Sequence, residues 1–130
     1  MPVTGDNIQK SLELVVEKHG DPTDRVYETL FKVHPEFEDL FIMDVDGGVR
    51  GSMLQHTFEC IDDYLSDQNF VDNFIATTRG HHVEYGVPDG SFDKFFTVVR
   101  DTFVDILGSQ WTEGMHTDWQ QMIDDFAKMA

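Results

Sequence analysis

The hydrophobic positions of this chain recur at the spacing of α-helices. In every long segment apolar residues lie three or four positions apart, and no segment alternates apolar and polar residues over a sustained run, as a half-buried strand would. Glycines and prolines separate the segments. The pattern predicts one all-α domain over residues 1–130, with about six to seven helices and no internal repeat or linker.

Capping residues, glycines and prolines predict where each helix begins and ends. Gly20 ends the first helix, and Asp21 is predicted to cap a second helix that has Pro22 at its first position. Pro35 ends this second helix and opens a short one. Near the end of the chain, Thr112 is predicted to cap the last helix.

Two predicted helices in the middle of the chain carry the candidate chemistry. The first spans about residues 49–65 and has one main apolar stripe, formed by Leu54, Phe58, Ile61 and Leu65. The second spans about residues 68–82 and has one face formed by Val71, Ile75, Thr78 and His82. Because eleven residues make close to three turns, His82 closes an apolar face, whereas His81 is rotated from it by about 100°.

Charge and cysteine content exclude several classes of protein. Nine Lys and Arg residues stand against 25 Asp and Glu, a net charge of −16 that repels nucleic acid and anionic lipid. No apolar run approaches the roughly 18 residues of a membrane span, and the N-terminus lacks a secretory apolar stretch. Cys60 is the only cysteine and is predicted to be a core thiol. We expect a cytoplasmic protein that binds neither nucleic acid nor membrane.

Most familiar catalytic and metal-binding motifs are missing. The sequence has no glycine-rich phosphate loop with a lysine, no GxSxG and no HExxH, and the segment 44–48 lacks the ligands of a calcium loop. His82 remains as the candidate. On periodicity alone, a hydrogen-bonded core histidine near a helix C-terminus is the favoured interpretation, and no pair of ligands at suitable spacing supports a zinc site.

Two segments of the chain are similar to a known family. His82 to Pro88, with the aliphatic Val87 five residues after the histidine, resembles the segment that follows the proximal histidine of bacterial single-domain globins and of the haem domain of flavohaemoglobins. Residues 26–36 resemble the second helix of these proteins and the proline that opens the third. The resemblance covers nearly the whole chain. It implies a globin fold around a haem pocket, with haem b as cofactor and His82 as the iron ligand.

The resemblance assigns further residues to the two sides of the haem. Phe41 falls where globins keep the phenylalanine that stacks on the haem, and Tyr27 falls where bacterial globins carry a distal tyrosine that donates to bound O₂. We expect the second ring nitrogen of His82 to be held by a backbone carbonyl one turn back. Flavohaemoglobins carry a tyrosine where this chain has Phe92, which implies a proximal histidine that donates electrons more weakly.

The predicted helix over about residues 49–65 would form the distal side of the haem pocket, and its spacing allows more than one set of residues to face the haem. The apolar stripe of the helix projects back to residue 50, so we expect Arg50 and Leu54 to face the haem, with Arg50 turned towards a propionate. The alternatives that stay open are Val49 with Met53, and Gln55 or His56. Arg79, one turn before His82, is a second candidate for a propionate partner, and its alternative is a solvated arginine on the rim.

These assignments imply a protein that binds a diatomic gas. The favoured function is reversible binding of O₂, with NO and CO as further ligands, at a ferrous haem. A haem enzyme, either an NO dioxygenase or a peroxidase, is the second possibility, and it would need an external reductase because the chain has no nucleotide or flavin fingerprint. A haem-free globin fold that acts as a sensor or interaction module is the third.

Overall fold

The computed structural model describes residues 5–66, 71–84 and 91–129, and in these ranges every regular element is helical. Six α-helices follow one another: α1 (Gly5–His19), α2 (Thr23–Val33), α3 (Gly48–Ser66), α4 (Val71–Glu84), α5 (Ser91–Leu107) and α6 (Glu113–Ala127). Two 3₁₀ helices, Pro35–Phe41 and Gly108–Gln110, lie between them. The predicted all-α class and number of helices are confirmed. None of these helices combines the length and the apolar character that a membrane crossing requires.

Helix α5 forms the centre of the packing because it carries apolar residues around much of its circumference. It contacts α1, α2 and α6, while α3 contacts α2 and α4. Phe103 of α5 lies against Trp119 of α6, with 5.5 Å between ring centroids, and both side chains are buried. The opposite end of α5 supplies Phe95 and Phe96, which are buried beside α2 and α6. The helices therefore enclose one continuous apolar core.

The helix boundaries follow the predicted capping residues closely. The Thr112 hydroxyl accepts the backbone N–H of Met115 at 3.1 Å, as expected of an N-cap. Helix α2 begins at Thr23, one residue later than predicted, with Pro22 at the cap position. Asp21 still stabilises this start, because its carboxylate accepts the backbone N–H and the hydroxyl of Thr23.

Asp44 holds the start of α3. Its carboxylate accepts the backbone N–H groups of Val49 at 2.9 Å and Arg50 at 3.0 Å, and the Arg50 guanidinium donates to it at 3.1 Å. Burial alone would raise the pKa of Asp44, but these donors and the positive charge of Arg50 outweigh it and hold the pKa below its usual value. The chain is thereby fixed at the point where α3 begins.

A buried polar contact joins the two ends of the chain. Trp119 of α6 donates its Nε1–H to the Ser11 hydroxyl of α1 at 2.9 Å, and this hydroxyl donates to the carbonyl of Ile8 at 2.6 Å. The side chains of Ser11 and Trp119 are both 0% exposed. Water therefore cannot replace the serine as acceptor without a rearrangement of the core.

We expect the Ser11→Ala substitution to lower the free energy of unfolding by about 1–3 kcal/mol, because it leaves a buried indole N–H without its acceptor. Thr102→Val is the matched control. Thr102 is equally buried, but its hydroxyl donates only to Val98 of its own helix. Urea unfolding followed by circular dichroism measures both. A loss for Ser11→Ala no larger than that for the control would contradict the argument.

We expect Asp44→Asn to lower the Tm at neutral pH, with a gap from the wild type that closes in acid. The pKa of Asp44 is lower in the folded than in the unfolded chain, so its stabilisation is complete above the unfolded value, about 3.9. It disappears as the pH falls through the lower, folded value. Thermal melts between neutral and acid pH test this, with the exposed Asp39→Asn as the charge control. A gap that persists undiminished in acid would refute it.

Candidate functional site

A cavity of about 320 Å³ opens between α2, α3, α4 and α5. Its volume lies at the lower end of the range found for small-molecule sites, about 300–1,000 Å³. Most of its walls are apolar. The lining residues within the described ranges are Leu30, Phe37, Leu40, Phe41, Val49, Met53, His56, Thr57, Cys60, Phe74, Thr78, His82, Phe95 and Phe96.

His82 is half-buried on α4 and lines this cavity. Its Nδ1 lies 2.8 Å from the backbone carbonyl of Thr78, one turn back, which confirms the expected hydrogen bond. A carbonyl oxygen can only accept, so Nδ1 carries the proton and the lone pair of the neutral ring lies on Nε2. This is the tautomer that a histidine needs in order to bind a metal through Nε2. His81, by contrast, is exposed and is not among the lining residues.

Phe41 lies on the same cavity as His82, as the sequence predicts. It ends the 3₁₀ helix Pro35–Phe41, and neighbouring rings hold it in place. Its centroid is 5.4 Å from that of Tyr27 and 5.6 Å from that of Phe31. The structure thus brings together the candidate metal ligand and the candidate stacking residue from distant parts of the chain.

The residues of α3 that line the cavity are not the pair that the sequence analysis preferred. Val49 and Met53 line the cavity in place of Arg50 and Leu54. Leu54 is only 2% exposed and belongs to the core, together with Ile61. The apolar stripe that was projected onto the haem is the face of α3 that packs into the protein. The cavity face is one residue round the helix, and it corresponds to the alternative that the sequence left open.

Arg50 is engaged at the start of α3 and not in the cavity. Besides its contact with the Asp44 carboxylate, its Nη2 donates to the Asp44 carbonyl at 3.0 Å. The fixed geometry of the guanidinium allows it to hold side chain and backbone at once. Arg50 therefore stabilises the start of α3, and it is not among the residues that line the cavity.

Tyr27 is buried and is not among the residues that line the cavity. It donates to the backbone carbonyl of Arg50 at 2.8 Å and so links α2 to the first turn of α3. The ring lies against Phe31, Phe41 and Phe95. Burial, followed by the nearby charge of Asp44, raises the pKa of Tyr27, so the hydroxyl stays protonated. The resemblance to bacterial globins predicts instead that this hydroxyl faces a bound ligand.

Arg79 also lies away from the cavity lining. Its guanidinium binds both carboxylate oxygens of Asp93 on α5, at 2.7 and 3.2 Å. It also donates to the carbonyl of Phe126 in the last turn of α6, at 2.9 Å, and to the carbonyl of Met129 just after the helix. Arg79 thus ties α4 to two other helices and satisfies carbonyls that a helix end leaves open.

The remaining polar groups of the lining differ in what they can do. The Thr57 hydroxyl donates to the Met53 carbonyl at 3.0 Å within its own helix. Burial, with the nearby carboxylates of Asp63 and Glu59, raises the pKa of the Cys60 thiol to about 12, so it is not a thiolate at neutral pH. His56 is exposed and touches the ring of Phe74, with 5.9 Å between centroids. The imidazoles are therefore the strongest metal-binding or anion-binding groups in the described lining.

Exposed apolar residues show what kind of ligand the cavity fits. Val49, Leu40 and Phe74 line it and are nevertheless 54%, 44% and 38% exposed. Large apolar side chains that rim a cavity are typical of a site for an apolar ligand, which would cover them. A haem meets this description, because it combines a wide apolar ring with a metal that needs one imidazole. His82 would hold its iron, and Phe41 would contact its ring.

Several lining residues were not predicted from the sequence. Phe95 and Phe96 belong to an apolar stripe of α5 that the sequence assigns to the core. Thr57 and Cys60 lie one and two turns along α3 from Met53. The spacing of Val49, Met53, Thr57 and Cys60 is a helical face in its own right, and it is the signal that could have found them. The predicted contacts of Val87 and of the Phe92 side chain lie outside the described part of the structure.

Comparison with protein families agrees with this architecture. A family model described as Globin matches residues 24–130, a range that includes every lining residue named above. Comparisons with curated proteins and with solved structures find no match. The matched range, the all-α architecture and the cavity beside His82 lead to one conclusion. The chain belongs to the globin family, whose members usually bind haem.

Proposed function

We propose that this globin binds haem b with His82 as the axial ligand and reversibly binds a diatomic gas, O₂ with NO and CO as further ligands. The observation that carries the proposal is the hydrogen bond from Nδ1 of His82 to the Thr78 carbonyl, at the wall of an apolar cavity. With the proton on Nδ1, the lone pair of the neutral ring lies on Nε2, the nitrogen through which His82 would bind the iron. A separate reductase that returns ferric iron to the ferrous state is part of the proposal.

When bound, the haem supplies the iron at which a gas ligand is held, and the chain supplies the surroundings. Phe41, Phe95 and Phe96 line the cavity with apolar rings, which would limit the access of water to the iron. On α3 the lining of the cavity includes Val49 and Met53. These side chains offer a bound ligand no N–H or O–H donor.

The first test replaces the proposed ligand. Wild-type protein mixed with haemin should develop a strong Soret band, and His82→Gly should lose most of that band or shift it, because the axial nitrogen is gone. Free imidazole should restore the spectrum by entering the space left by the side chain. The measurement is absorbance titration with haemin, with and without imidazole.

His81→Ala is the matched control. His81 is exposed and lies outside the lining, so its replacement should leave the spectrum unchanged. A spectrum that depends on His81 and survives the loss of His82 would overturn the assignment. Wild-type protein that leaves the absorbance spectrum of free haemin unchanged would contradict haem binding and favour the sensor or interaction module.

The second test concerns Tyr27. Because its hydroxyl is bonded to the Arg50 carbonyl, we expect Tyr27→Phe to lower the free energy of unfolding by about 0.5–1.5 kcal/mol. The rate of O₂ release, measured by stopped-flow displacement with CO, should change by less than about threefold, since the hydrogen bond that is lost does not involve the ligand. Tyr64→Phe is the control, because that hydroxyl bonds Asp125 and lies outside the cavity lining.

Faster O₂ release by about ten- to a hundredfold would contradict this expectation. A change of that size is what the loss of a hydrogen bond to a strongly polarised ligand causes. It would show that the Tyr27 hydroxyl leaves Arg50 and turns to the ligand, as the resemblance to bacterial globins implies.

A further inference from the structure

We propose that residues 42–46, the docking loop, form the contact surface for a basic redox protein that exchanges an electron with the haem. The inference rests on the proposed function, because it assigns a contact surface and a charge to the separate reductase that the proposed function includes. The docking loop lies between the 3₁₀ helix Pro35–Phe41 and α3, and it carries three exposed apolar side chains, Ile42, Met43 and Val45.

The apolar side chains of the docking loop are the most exposed in the described part of the chain. Val45 is 91% exposed, Met43 89% and Ile42 75%, more than any other large apolar side chain in the described ranges. Three such side chains within four residues form a cluster, which differs from the scattered single apolar residues that every protein surface carries. A cluster of this kind is typical of a contact surface, because a bound partner removes it from water.

The backbone around Asp44 holds the docking loop in this arrangement. The side chain of Asp44 is only 4% exposed, and its carboxylate accepts two backbone N–H groups of α3. Its own backbone N–H donates to the Phe41 carbonyl at 2.9 Å, and its carbonyl accepts Arg50 at 3.0 Å. Met43 and Val45, on either side of this anchored residue, are thereby held in solvent. A contact surface that is already ordered loses little conformational freedom on binding.

The docking loop adjoins the cavity through the chain itself. Leu40 and Phe41 line the cavity immediately before the loop, and Val49 lines it three residues after the loop. Every residue of the loop is thus within four residues of a lining residue, a distance of less than about 15 Å along the chain. A protein bound at the loop would therefore lie close to a cofactor in the cavity, as electron transfer between two proteins requires.

The charge around the docking loop determines the kind of partner. Residues 35–49 contain five acidic side chains and no lysine or arginine. Four of the five are exposed: Glu36, Glu38, Asp39 and Asp46. A second copy of the chain would bring the same carboxylates against them, on a protein with a net charge of −16. A partner whose apolar contact patch is surrounded by lysines or arginines is attracted instead, so the charges favour a basic protein over self-association.

The reaction across this surface is the transfer of one electron. A flavin, haem or iron–sulfur centre of the partner is oxidised, the ferric iron of the globin is reduced, and no bond between the two proteins forms or breaks. The docking loop holds the two proteins in contact and takes no part in the chemistry. Changes in the loop should therefore act on binding and on the second-order rate, and they should leave the haem spectrum unchanged.

The test uses ferric cytochrome c as the probe, a basic protein whose lysines surround the exposed apolar edge of its haem. Isothermal titration calorimetry at low salt measures its binding to the full chain, with or without haem in the globin. Stopped-flow absorbance without oxygen measures its reduction by the ferrous, haem-loaded chain, which moves an electron across the same contact.

We expect Met43→Ser combined with Val45→Ser to weaken binding by about five- to tenfold, and to slow the second-order rate by a similar factor, the effect of truncating apolar anchors. The Tm should not change, because both side chains are almost fully exposed. Glu38→Gln combined with Asp39→Asn should weaken binding by about two- to fivefold at low salt, and this difference should disappear at high salt.

Val16→Ser combined with Glu17→Gln is the matched control, because both residues are exposed on α1 and lie outside the docking loop. Its binding to cytochrome c should equal that of the wild type. Equal weakening in the control and the loop variants, or loop variants that bind as tightly as the wild type, would overturn the proposal. A wild-type dimer that Met43→Ser combined with Val45→Ser dissociates, seen by analytical ultracentrifugation, would also overturn it and assign the loop to a second copy. Failure to take up haem would refute the proposed function, whereas the calorimetric binding still decides whether the loop docks a basic protein.

Discussion

The hydrogen bond between Nδ1 of His82 and the carbonyl of Thr78 is the contact on which the candidate site depends. A helix places residue i above the carbonyl of residue i−4, so α4 supplies both the donor and its acceptor. The bond places the proton on Nδ1, so the lone pair of the neutral ring lies on Nε2, the nitrogen that would bind a metal. A single regular helix at the wall of an apolar cavity thus provides the orientation that an axial ligand needs.

The arginines considered for the site stabilise helix ends instead. Arg50 joins Asp44 at the start of α3, and Arg79 joins Asp93 and the last carbonyls of α6. In a chain this acidic, a guanidinium is surrounded by carboxylates, and pairing with one of them takes it away from the cavity. The described lining of the cavity is mostly apolar and contains the imidazoles of His56 and His82.

Helix α3 shows why the distal wall could not be read from the sequence. Its strongest stripe, which includes Leu54 and Ile61, packs into the core, and a second face with Met53, Thr57 and Cys60 borders the cavity. Both faces have helical spacing, and both are largely apolar. Periodicity alone cannot decide which face meets the core and which meets a ligand, because the decision depends on where α2 and α4 pack.

The sequence by itself determined the class of fold, the order of the helices and the role of Thr112 as a cap, because these depend on local spacing and local hydrogen bonds. It also determined that His82 closes an apolar face with a carbonyl one turn back, since both lie on one helix. Only the tertiary structure decided the places of Tyr27 and Arg79. The Tyr27 hydroxyl meets a carbonyl 23 residues away, and Arg79 meets one 47 residues away. Contacts between residues so distant in the chain depend on how the helices pack, and a local sequence pattern does not predict that packing.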